Sequence, residues 1–417
     1  MNPKIIVSST NMLIDENLNL QIIGLKPNQQ IKIKAEMKDD MERTWSSFAI
    51  FTANNEEKID LNKTSPEKGS YTGCYSNGLL WSMKLKEKNT SLPSIFLKNS
   101  VRPHKVTFYL VLEDEIIDKK EIEINFINSN IKQINIEKPV VGKLFTNEEK
   151  DTLPAIIVVG GSTGGMFWTE QVAALLSTKG YSTFALNYFD SQNNKLPDEL
   201  FEIQLEYFEK ALSWLKKQPQ IDKNNISMMG ISKGGELSLV LGSYFSDKLT
   251  SIVSYVPSSH VFEGISMGKH PRKSSWTYKN KAIDFIQFSE DSIFSMDMNP
   301  LNIKKIHDEA LAKATGKELR NARIQIENIN CPILMISGEK DTTWSSSKMC
   351  SDMMKTIEEH NNPHQSQHIN FKNMGHTFFL PNIPPIIDHP SVTAQNAANA
   401  NKSAWESTLK FLSKHFN

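Results

Sequence analysis

From Pro154 onward the chain alternates between continuous apolar runs and amphipathic stretches, a rhythm that few folds accept. The run AIIVVGG shows no polar alternation, so a strand there must be buried on both faces. A helical pattern around TEQVAALLSTKG follows, then the strand YSTFALNYF and a long amphipathic helix over PDELFEIQLEYFEKALSWLKKQP. Next come the strand ISMMG, the helix GGELSLVLGSYF and the strand SIVSYVPS. The interval from about Ser258 to Ala322 breaks the rhythm and reads as a cap or lid. The alternation then resumes with CPILMISGEKD, the helix SSKMCSDMMKTIEEH, the strand HINFKNMGH and a helix ending SAWESTLKFLSKHF. Strands and helices in this order build a mainly parallel sheet covered on both faces, an α/β architecture.

The first third reads differently. QIKIKAEM, WSSFAIFTA, LLWSMKLK, SIFLKN, HKVTFYLVLED and KKEIEINFI have strand character and are separated by turn-rich pieces such as TSPEKGSYTG. Their spacing predicts an all-β, immunoglobulin-like sandwich. A chain of 417 residues is long enough for two cores. The expected division is therefore 1–135 for the sandwich and 136–417 for the α/β domain.

Bulk properties narrow the function classes. Lys+Arg and Asp+Glu number 47 each, so no global basic field points to nucleic acid or an anionic membrane. The three cysteines, Cys74, Cys331 and Cys350, are too few and too scattered for a disulfide framework or a zinc site. Cys74 and Cys350 read as inert thiols. No window is apolar enough to span a bilayer, and MNPKIIVSSTNMLIDEN lacks a signal-peptide core. A cytoplasmic protein acting on a small molecule is the expectation; oligomeric state is not encoded legibly.

The chemistry gathers around GISKGGE, where Ser232 stands between Gly230 and Gly234 at a strand-to-helix junction. That pattern is the signature of a nucleophile elbow, although it is short enough to mark an ordinary turn. A serine nucleophile needs a base and a carboxylate that orients the base. Asp341 follows the buried strand ILMISGEK, and His376 follows NFKNMG, again beyond a strand and beside a glycine. Ser, Asp and His thus occur in the order this topology requires. Glu339 is the rival acid, Asp341 has an alternative reading as a helix cap, and His364, His368 and His389 are rival bases. The oxyanion donors are expected from the backbone N–H groups of Lys233 and of Ser162 in the loop GGSTGG, with Thr163 the alternative. That loop lacks the endings of a phosphate-binding motif. The Lys233 side chain reads either as a guide for an anionic substrate or as a solvent-facing lysine. Trp45, Trp81 and Trp276 read as packing residues.

The ordered segments GSYTGCYSNGLLWSM, VVGGSTGG, LPDELFEIQLEYFEKALSWL, GISKGGELSL, SSWTYKNK, CPILMISGEKDTTW and GHTFFLP resemble the acyl-CoA thioesterases and bile acid-CoA:amino acid N-acyltransferases, over nearly the whole chain. The resemblance implies an α/β-hydrolase domain preceded by the β-sandwich. It implies a catalytic triad at Ser232, Asp341 and His376, an acyl-CoA substrate, and no metal or redox cofactor. Conjugating members of that family characteristically use cysteine as nucleophile and hydrolytic members commonly serine, so Ser232 favours hydrolysis. The alternatives are a carboxylesterase, an acyl-CoA:amino acid N-acyltransferase, or an inactive binding protein on the same fold.

Overall fold

The computed structural model describes residues 2–54, 57–87, 94–266, 268, 270–292 and 299–416. They divide into two compact units. Unit 1 takes the chain up to Asn128 together with Phe378–Ile387 and Thr393–Trp405, and unit 2 takes Ser129–Thr377, Asp388–Val392 and the chain from Glu406 on.

Unit 1 is mainly β apart from the C-terminal segments. Its larger sheet is built on the antiparallel strands Gln30–Lys38, Thr44–Thr52, His104–Leu112 and Glu115–Asn125. Ile31, Ile33, Ala35 and Met37 on one strand, and Trp45, Ala49 and Phe51 on the next, alternate inward at period two. A second, three-stranded sheet comprises Lys4–Val7, Leu20–Ile23 and Lys58–Asp60. Two strand expectations fail here. LLWSMKLK gives a one-turn helix, Gly78–Trp81, before the short strand Lys84–Leu85. SIFLKN makes no ladder. Phe96 instead packs edge-on against Trp45, and the Lys98 ammonium is buried against Asp40 at 3.1 Å, so its side chains serve as cover.

Unit 2 carries the eight-stranded sheet. We number its strands β1 Ile131–Ile136, β2 Val141–Asn147, β3 Leu153–Val159, β4 Ser182–Asn187, β5 Ile221–Ile231, β6 Ile252–Tyr255, β7 Ile333–Gly338 and β8 Gln367–Phe371. The spatial order is β1-β2-β4-β3-β5-β6-β7-β8, antiparallel at β1 and β2 and parallel from β4 onward. This is the α/β-hydrolase fold. β3, β4 and β6 are buried over nearly their whole length, as continuous apolar strands under helices on both faces require. The helices are α1 Phe167–Ser177, α2 Leu205–Leu215, α3 Lys233–Tyr244, α4 Pro300–Lys313, α5 Gly316–Ala322, α6 Ser346–Glu359 and α7 Ala394–His415, the last shared between the units, with its residues up to Trp405 in unit 1.

Three features depart from the linear reading. β1 lies beyond residue 128 and pairs along its full length with β2, so the segment 131–135 belongs to the large sheet. Parts of the last forty or so residues cluster with unit 1, because Asn382 Nδ2 donates to Ile14 O and Trp405 Nε1 to the Asp15 carboxylate. The long helix expected over PDELFEIQLEYFEKALSWLKKQP is confined to Leu205–Leu215. Glu202 breaks it with φ 52°, and the N–H groups of Glu202 and Ile203 go instead to Ser274 O and Ser275 O.

The irregular interval from Ser258 holds the short strands Trp276–Tyr278 and Lys281–Ala282 and the helices α4 and α5. Its Phe262, Phe288 and Ile306 form a small core with Trp344 from the loop after β7. Residues 267, 269 and 293–298 of that interval lie outside the described residues.

Candidate active site

Ser232 stands at the junction of β5 and α3 with φ 58° and ψ −121°, a conformation costly for any residue with a Cβ. The glycines around it make the junction possible. A Cβ at Gly230 would lie 2.0 Å from Gly234 O, and one at Gly234 would lie 2.3 Å from Gly160 O. The turn is fixed by Ser232 N–H donating to Tyr255 O and Glu236 N–H donating to Ser232 O, both at 2.9 Å. The hydroxyl is thereby held up at the carboxyl end of a central strand.

Asp341 follows β7 and His376 follows β8. His376 Nε2 lies 2.8 Å from Ser232 Oγ, and its Nδ1 lies 2.8 and 2.9 Å from the two Asp341 oxygens. Of the rival residues, Glu339 is exposed, and His368 and His364 bond Ser337 and Asn330 instead. His389 bonds Ser391. Asp341 does not cap α6, whose N-cap is Ser345. One of its oxygens also accepts the N–H groups of Thr343 and Trp344, which fixes the carboxylate before it meets the histidine. The Trp344 ring stands edge-on to the His376 ring at 5.3 Å and is itself tied by Nε1 to Val256 O.

Burial lowers the His376 pKa, but the Asp341 carboxylate outweighs it by charge and hydrogen bond, with Asp388 adding to the same effect. The net result lies above the ordinary 6.5. His376 is 12% exposed and Asp341 2%. Such a pair, with the second imidazole nitrogen on a hydroxyl, can draw the hydroxyl proton and stabilise the resulting imidazolium.

The expected oxyanion donors fall on two elements. Lys233 opens α3, and a residue at that position has no intrahelical acceptor for its N–H. The loop Gly160–Gly165 meets Ser232 through Gly161, where a Cβ would lie 3.1 Å from Ser232 Cβ. Ser162 follows it directly and is partly exposed.

The Lys233 side chain neither faces solvent nor reaches outward. It is 1% exposed, and Nζ binds Glu236 Oε1 at 2.5 Å and lies 5.4 Å from the centre of the Trp276 ring. Glu236 also accepts Trp276 Nε1 at 2.8 Å and Ser258 Oγ at 2.9 Å. Burial pulls the Lys233 pKa down, against the opposing pull of Glu236. Sequence reading missed this pair because a Lys-x-x-Glu spacing on a helix normally marks a solvated face. It also missed Asp388, which binds the His376 loop; no local motif marks it.

Burial pushes the Cys331 thiol up to about 12. It raises the Cys350 thiol well above its ordinary value too, with the Asp341 charge adding to it, so neither supplies a thiolate. Among the described residues, no group of three or more His, Cys, Asp or Glu side chains is placed to hold a metal ion. No helix among them is long and apolar enough to cross a membrane.

Residues 203–417 match the family described as BAAT / acyl-CoA thioester hydrolase, C terminal, and residues 15–138 match the acyl-CoA thioester hydrolase/BAAT N-terminal region. Acyl-coenzyme A amino acid N-acyltransferase 1 of Mus musculus is 26% identical over 434 aligned residues, covering 99% of this chain and 97% of the mouse protein. Acyl-coenzyme A thioesterase 6 of Mus musculus is 25% identical, covering 97% and 94% respectively.

Proposed function

The chain belongs to the BAAT / acyl-CoA thioester hydrolase family, and on that premise we propose that it is a serine hydrolase cleaving acyl-CoA thioesters to free acid and CoA. The carrying observation is a serine, not a cysteine, at the elbow, with His376 Nε2 2.8 Å from its oxygen. In this reading Ser232 Oγ attacks the thioester carbonyl while His376 takes its proton. The tetrahedral oxyanion is received by the N–H groups of Lys233 and Ser162. The C–S bond then breaks, His376 returns the proton to the CoA sulfur, and an oxygen ester is left on Ser232. Water, deprotonated by the same histidine, releases the acid. The chemistry calls for no metal or redox cofactor.

The choice between water and an amine as acceptor rests on the acyl-enzyme. A serine oxygen ester is less prone to attack by amines, relative to water, than a cysteine thioester. The full-length relative named as an N-acyltransferase keeps transfer as the second reading.

A panel of acyl-CoA chain lengths with free-thiol detection, run with and without glycine or taurine and read by mass spectrometry, tests both. Thiol release with free acid as the product is expected. An N-acyl amino acid as the main product overturns hydrolysis in favour of transfer. Turnover of simple esters but not of acyl-CoA points to a carboxylesterase, and a wild-type chain without turnover or serine-probe labelling points to a binding protein.

A further inference from the structure

His376 sits on a loop hanging from β8, the edge strand of the large sheet, so only one neighbouring strand end braces it. On that side Lys340 N–H donates to Met374 O at 2.9 Å, and a Cβ at Gly338 would meet Gly375 O at 2.1 Å. A single carboxylate adds the next brace. Asp388 Oδ2 accepts the backbone N–H groups of His376 and Thr377, each at 2.8 Å, and the Thr377 hydroxyl at 2.9 Å. Gly375 makes the approach possible, since a Cβ there would fall 1.7 Å from Asp388 Oδ1. The chain leaves unit 2 after Thr377 and returns at Asp388. The first residue back therefore clasps the last two out.

We propose that Asp388 is a positioning residue for His376, its carboxylate fixing the histidine loop through two backbone N–H groups so that Nε2 falls on the Ser232 hydroxyl. The inference rests on Ser232 and His376 acting as nucleophile and base, and not on the substrate being an acyl-CoA. Hydrogen bonds to an ionised acceptor are roughly twice as strong as neutral ones. A neutral amide at 388 holds the loop less firmly, and its NH₂ group, itself a donor, cannot accept from those N–H groups.

The carboxylate also bears on the charge that His376 acquires. The titratable groups that act on the imidazole are Asp341, Asp388 and His307, and the Trp344 ring stands edge-on to it. Burial pushes the His307 pKa down to about 3, so it stays neutral and the two carboxylates set the balance. Removing Asp388 therefore shifts His376 toward easier deprotonation while loosening its position, a combination that a purely structural residue does not produce.

The test is the second-order rate at which a fluorophosphonate probe labels Ser232 in the full chain, measured across pH. Asp388→Asn is expected to slow labelling by roughly 10²-fold, the cost of about an ångström of misplacement, and to move the acid limb to lower pH. Gly375→Ala should mimic it by pushing the carboxylate away, and it carries the test if Asp388→Asn does not fold. Gly375→Ala combined with Asp388→Ala should be no slower than Asp388→Ala alone, because the obstructed oxygen is gone. Labelling by Asp388→Asn within about threefold of wild type, with an unmoved acid limb, overturns the proposal. Additive losses in the double variant overturn it too. A wild-type chain that labels but leaves acyl-CoA untouched sinks the substrate assignment and leaves this inference standing; one inert to the probe sinks both.

Discussion

Ser232 and His376 meet at 2.8 Å, yet the two sides of that contact are built by different physics. The serine ends a central strand, with β3 and β6 paired on either side. Its unusual backbone is imposed by close packing among Gly230, Gly234 and Gly160, where no Cβ has room. The histidine hangs beyond an edge strand, and carboxylates on Asp341 and Asp388 hold it. Backbone packing is insensitive to pH, whereas a base held by charges responds to it. One half of the site is therefore rigid by sterics and the other adjustable by electrostatics.

The comparison breaks most readily at the serine. On the proposed mechanism, Ser232→Ala should lower kcat for acyl-CoA hydrolysis by on the order of 10⁶-fold, because the attacking atom is gone and triad members act as a unit. Thermal melting should stay close to wild type, since the glycines that shape the turn remain. Free-thiol release gives the activity, and substantial residual turnover sinks the serine mechanism. On the histidine side, Asp341→Asn should cost about 10⁴-fold in kcat. Glu339→Gln should change it less than about threefold, because that side chain is exposed. The reverse ranking identifies the wrong acid.

A smaller effect tests whether sterics alone secure the serine. Lys233→Met leaves Glu236 buried without its cation and should cost about 3–5 kcal/mol in urea unfolding. Lys233→Met with Glu236→Gln should recover part of that loss, since the stranded charge is removed. Equal destabilisation by both variants means that the Lys233 stem and its packing on Trp276 matter more than the charge.

The smallest effect sharpens the electrostatic half. In the proposed mechanism His376 must be neutral to accept the serine proton, and its pKa is raised above 6.5, so kcat/KM should fall as pH drops through a midpoint above 6.5. The slope should approach about tenfold per pH unit. The sign for stability is opposite. The protonated histidine is the form Asp341 favours, so its contribution is complete below 6.5 and is lost as pH rises through the folded value. An acid limb centred below 6.5 contradicts the carboxylate support.

Sequence alone was enough for features whose causes are local. Continuous apolar runs at β3 and β7 marked strands buried on both faces, and the glycines around Ser232 marked a turn that only glycine spacing allows. Asp341 and His376 could be found because strand ends in a parallel sheet lie at one edge, and chain order then ranks the candidates. Tertiary structure decided whatever depends on distant side chains meeting. Lys233 read as a steering or solvent-facing lysine until its buried partner Glu236 was seen, held in turn by Trp276 and Ser258. The helix before Leu205 gave way to a strand because Ser274 and Ser275 offered better partners to its N–H groups. Asp388 has no motif of its own. It serves the site only because the chain comes back to where it left, and no local pattern records a contact whose two halves are separated by an excursion through another unit.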